Sequence, residues 1–112
     1  MSRRAAELLL DDIWEALEKI ERYTTGLSLD GFIADEKTTD AVVRNLEIIG
    51  EAASRLPDEF KRQCIDIEWP KIVGLRHRIV HHYFGIDLKI IWNILKEDLP
   101  VFKSQVRAIR KT

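Results

Sequence analysis

Apolar residues recur along this chain at three- and four-residue intervals, the period of an α-helix that buries one face. Ala6, Leu9, Leu10, Ile13, Leu17 and Ile20 make one stripe, while Asp11, Asp12, Glu15, Glu18 and Glu21 fall largely off it. Gly26 is the predicted stop, because glycine enters the left-handed cap conformation cheaply, and Gly26 to Gly31 reads as a loop. A second long helix is predicted from Lys37 or Thr38 to Leu56, ended by Pro57. Its stripe is Ala41, Val42, Asn45, Ile48, Ile49, Ala52 and Leu56. Gly50 inside it costs about 1 kcal/mol relative to alanine, which points to close packing against a neighbouring helix.

A third helix opens at Trp69-Pro70, with proline suited to a first turn, and carries Ile72, Val73, Leu75, Ile79, Val80 and Tyr83 up to Gly85. Asp87 is the predicted N-cap of a fourth, containing Ile90, Ile91, Trp92, Ile94 and Leu95. Pro100 either kinks that helix or opens a last one through Val101, Phe102, Val106 and Ile109. No βαβ rhythm and no hairpin between alternating strands interrupts the pattern. The predicted fold is an all-α, up-and-down bundle of four or five helices in a single domain over residues 1–112.

The composition agrees with a folded domain: 46% of the 112 residues are hydrophobic and 33% charged. No apolar run approaches the ~18–20 residues of a membrane span, and none resembles the hydrophobic core of a signal peptide. The single cysteine, Cys64, has no internal disulfide partner, which favours a reducing, cytoplasmic setting. A net charge of −1 excludes a uniformly basic nucleic-acid coat. The distribution is uneven, however. Ala5 to Glu18 holds five acids and no base, whereas Trp69 to Ile86 holds no acid and contains all three histidines. The tail adds Lys103, Arg107, Arg110 and Lys111 with no acid after Val101.

That acid-free window contains the candidate chemistry. Arg76, His77, Arg78, His81 and His82 fall within seven residues. Histidine takes and gives protons near its unperturbed pKa of ~6.5, and an arginine fork can hold a phosphate. Together they suit metal-free phosphodiester cleavage, in which a 2′-hydroxyl is deprotonated and a leaving oxygen protonated. Arg76 and His81 are five residues apart and diverge by about 140° on an ideal helix. They converge on one phosphate through long side chains, a loosened helix end near Gly85, or a second protomer. A dimer that sets two such segments face to face is the preferred solution. His77 and His81 have the spacing of a helical metal pair, but no acid follows within the segment, so no metal and no cofactor are expected. The same residues also read as a solvated basic helix end with one histidine packed inside.

The motif Arg76, four residues, His81, one residue, Tyr83 resembles the Arg-x4-His-x-Tyr motif of HepT-like toxins in the HEPN superfamily. Its flanks are similar too: 38–53 resembles that family's second helix, and 67–76 and 83–87 match around the motif. The resemblance implies a dimeric HEPN-like bundle with the two motifs meeting in an interface cleft. It also implies a metal-independent endoribonuclease, the toxin of a type II/VII-like toxin–antitoxin pair. The partner would be an MNT-class nucleotidyltransferase antitoxin that silences the toxin by transferring AMP to the motif tyrosine, Tyr83. Arg76 would stabilise the scissile phosphate and His81 would act as acid or base. The position after the arginine is commonly Asn in the family and is His77 here, a candidate to share the proton transfer. The position before the tyrosine is commonly Gly and is His82 here. Lys71, Arg78 and His82 are candidate RNA contacts. The alternative is a non-catalytic HEPN-type dimer that binds a nucleotide or a partner.

Overall fold

The computed structural model describes residues 3–79 and 85–110. Its elements are α1 (Arg3–Thr24), α2 (Leu29–Ala34), α3 (Glu36–Arg55), α4 (Asp58–Gln63), α5 (Trp69–Val73), α6 (Leu75–Ile79), α7 (Leu88–Asn93) and α8 (Leu99–Arg110), with a π turn at Ile94–Asp98 between α7 and α8. The fold is an all-α bundle with no β-strand among the described residues. None of its helices is long and apolar enough to cross a membrane, among those residues.

The predicted stripes form one core. All six stripe residues of α1 are buried, and they pack chiefly on α3 through Val42, Leu46, Ile49 and Ala53, each fully buried. Gly26 ends α1 with φ +80°, the left-handed conformation expected of it. The predicted loop after it is shorter than its composition suggests. Ser28 accepts a hydrogen bond from Gly31 N (3.0 Å) through Oγ and starts α2, whose Phe32 is fully buried against Trp92 with ring centroids 5.3 Å apart. A capping hydroxyl and one buried aromatic are enough to turn the segment helical. Asp35 then caps α3, accepting from Thr38 N at 3.1 Å and from the Thr38 hydroxyl at 2.7 Å, contacts that hold its carboxyl below the ordinary value.

α3 ends at Arg55 because Leu56, preceding Pro57, is driven to an extended ψ of 141°. Pro57 in turn caps the short α4, which the apolar pattern did not announce. Gly50 sits where α3 meets the α5–α6 junction. A Cβ there would lie 3.5 Å from Ile72 O, 3.6 Å from Val73 O and 3.8 Å from Leu75 Cβ, so alanine fits and a larger side chain would push the junction away.

The predicted elements differ in form at two places. The third helix is broken at Gly74 into α5 and α6. The fourth and fifth are one helical run, because a π turn precedes Pro100, with Leu99 N bonding to Ile94 O five residues back. The wider turn accommodates the missing proline N–H without ending the helix. Within α8, Phe102 and Val106 are buried, but Val101, expected in the stripe, is 59% exposed, since it lies about 100° around the helix from Phe102.

Three of the tail cations turn onto α1, and Lys111 lies outside the described residues. Lys103 pairs with Glu21 (2.9 Å) and Arg110 with Asp11 (3.4 Å), while the charges of Lys103, Arg107 and Arg110 lie 5.1–5.4 Å from the Trp14 ring. The acidic α1 and the basic α8 thus compensate one another. Trp69, buried, donates from Nε1 to Cys64 O (3.2 Å) and meets Phe102 edge-on, so all three tryptophans are packing residues.

Candidate functional site

The Arg76 segment is positioned by a glycine break. Pro70 stands in the first turn of α5, and Gly74 N donates back to Pro70 O at 2.9 Å. A Cβ on Gly74 would lie only 3.0 Å from that oxygen, so the close turn favours glycine. Gly74 O then accepts from His77 N (3.0 Å) and Arg78 N (3.2 Å), which starts α6. Leu75 and Ile79, four apart, point into the core and are fully buried. With that face fixed, Arg76 and Arg78, about 200° apart on a helix, leave in different directions.

Arg76 and His77 line an open groove of about 520 Å³ between α1, α3 and α5–α6. Across it stand Arg44, Glu47, Glu51 and Arg55 of α3, with Asp12 of α1 at the edge. Arg76 and His77 are exposed and make no ion pair among the described residues, and the same holds for Arg44 and Arg55. The groove therefore presents guanidinium and imidazole groups to solvent, beside three carboxylates. Arg44 and Arg55 were not singled out from sequence. The signal was present in the spacing of Arg44, Glu47, Glu51 and Arg55, which places one polar strip along α3 opposite its apolar stripe.

Lys71 and Arg78 lie elsewhere. Both meet Asp98, the last residue of the π turn: Lys71 Nζ–Oδ1 at 3.1 Å and Arg78 Nη2–Oδ2 at 2.7 Å. Their charges are engaged there and do not reach the groove lining. Burial alone would raise the Asp98 carboxyl, but the contacts and charges of Arg78 and Lys71 outweigh it and hold the group below its ordinary value. A carboxyl depressed in the folded state contributes stability above its unfolded pKa, about 3.9, and loses it as pH falls through the lower folded value. Thermal melts from pH 6 downward should accordingly show the wild type losing stability in the acid range. Asp98→Asn should lose less of it there, starting from a lower Tm at pH 6. An identical pH slope in the two proteins would contradict the assignment.

His81, His82 and Tyr83, together with Val80 and Phe84, lie outside the described residues. Among the described residues no three or more His, Cys, Asp or Glu side chains converge as metal ligands.

Residues 13–109 match the family described as Ribonuclease HepT-like. A protein of Thermococcus cleftensis named "Probable ribonuclease HepT" is 40% identical over 109 residues, covering 97% of this chain and 99% of its own. A protein of Methanocaldococcus jannaschii named as a candidate RNase is 37% identical over 109 residues, covering 97% of this chain and all of its own (100%). One from Caldanaerobacter subterraneus, similarly named, is 37% identical over 100 residues and covers 89% of each chain. No solved structure gives a significant match. A helical chain matched over nearly its whole length, with Arg76 on the wall of an open groove, belongs to the ribonuclease HepT-like family of the HEPN superfamily.

Proposed function

We propose that this protein is a metal-independent endoribonuclease, the toxin of a toxin–antitoxin pair. The observation that carries the reading is Arg76 on the groove wall, its guanidinium free of ion pairs among the described residues, in a chain of a ribonuclease family. In the proposed reaction Arg76 grips the scissile phosphate with two parallel donors and offsets the charge that builds on it. His81 takes the proton of the attacking 2′-hydroxyl or returns one to the leaving 5′-oxygen, and His77 supplies the second transfer. Two protomers bring their segments together, so that each phosphate meets groups from both. Arg44 and Arg55 extend the cationic contact along the strand, and His82 adds to it. The reading supposes a cytoplasmic protein whose partner is an MNT-class nucleotidyltransferase. AMP on Tyr83 would add an anion to the cleft, repelling RNA phosphates.

The test is to incubate the purified protein with total RNA in excess EDTA, alongside His81→Ala. We expect cleavage by the wild type, unaffected by EDTA, and a loss of ~10²-fold or more in the variant. RNA that is bound and recovered at full length would instead favour a binding dimer. Cleavage that EDTA abolishes would remove the metal-independent mechanism.

A further inference from the structure

The groove residues Arg76 and His77 stand on a helix of five residues, α6, that follows another of five, α5, across Gly74. Helices this short do not hold themselves in water, since nucleation is unfavourable and few bonds follow it. Leu75 and Ile79 seat α6 on the core and fix its rotation, but both lie on one face and leave its angle to α5 across Gly74 to other contacts. One carboxylate supplies them. Asp98 meets Lys71 on α5 and Arg78 on α6, spanning the glycine break from outside. Its side chain is 14% exposed, and Arg78 Nη1 and Asp98 Oδ2 are both buried with no hydrogen-bond partner among the described residues, so what joins the two groups is their ion pair. Asp98 supplies the compensating charge for a part-buried Arg78 side chain, 33% exposed, so removing either member leaves the other less well compensated. Asp98 closes the π turn, a form that recurs at functional sites in helices.

We propose that Asp98 is a positioning residue: by tying α5 to α6 through Lys71 and Arg78, it holds the angle between the two helices at which Arg76 enters the groove. The proposal rests on the reading of that groove as the RNA-cleaving site. Among the described residues Asp98 pairs with Lys71 and Arg78, neither of which lines the groove.

The experiment compares the full-length wild type with Asp98→Asn, Arg78→Gln, the double variant and Asp98→Glu. Two readouts are taken: kcat and KM on a single-stranded RNA, and amide hydrogen exchange of a peptide covering 75–79 with an α1 peptide as reference. We expect kcat to fall at least tenfold in each single neutral variant, with KM changed less than threefold. The double variant should fall no further than the worse single, because both remove one coupled contact, and Asp98→Glu should recover most of kcat. Exchange in 75–79 should speed up while α1 stays protected. Equal kcat, multiplicative losses in the double variant, or faster exchange throughout the bundle would each overturn the proposal, the last by showing a purely global effect. If the wild type cuts no RNA, the ribonuclease reading fails separately. Exchange then decides alone whether Asp98 holds α6, and unchanged protection in Asp98→Asn overturns it.

Discussion

Arg76→Ala is expected to reduce kcat for RNA cleavage by ~10²–10³-fold, the usual loss when one donor to a developing anion is removed. The reason is charge: a phosphate under attack gains negative charge that a fixed guanidinium meets and that groove water must reorganise to meet. Stability should stay within about 0.5 kcal/mol of wild type, because Arg76 is exposed and carries no ion pair among the described residues. Arg76→Lys keeps the charge but loses the two-donor fork, so it should recover only part of the rate. Single-turnover kinetics beside a thermal melt would separate the two effects. A full rate in Arg76→Ala would remove this residue from the chemistry.

The second large effect is structural. Leu75→Ala should cost about 2–5 kcal/mol, the range for deleting a fully buried leucine. For a chain of this size that lowers Tm by roughly 10 °C or more. Leu75 lies directly beneath Arg76 and against Gly50 of α3, so its loss should also weaken cleavage in the molecules that remain folded. Denaturant unfolding with an unchanged m-value would check the first part. A cost under about 1 kcal/mol would mean that α6 is not seated on α3 through this side chain.

These two variants separate what periodicity reveals from what it hides. The stripes of α1 and α3 were legible because burial on one helical face imposes a 3.6-residue rhythm, and nearly every residue in them is buried. Asp87 and Gly26 were legible because capping and the left-handed conformation each favour few residue types. The short α2 and α4 were not, because six residues are too few to show a period. Pro100 offered two readings, and only the π turn before it resolved them, a backbone accommodation with no residue signature.

The candidate chemistry divides in the same way. The chain's own order of residues marked the acid-free window and its resemblance to the HepT-like family, because chemistry needs particular residue types close together in the sequence. The direction of each cation was settled by packing. Arg76 reaches the groove and Arg78 meets Asp98, although two residues separate them, since burial of Leu75 and Ile79 fixes the rotation of α6. The partners themselves, Asp98 for Arg78 and the α3 strip for Arg76, are twenty or more residues away in sequence. Local composition carries no record of such distant pairs; they arise only when apolar faces come together and bring charges with them.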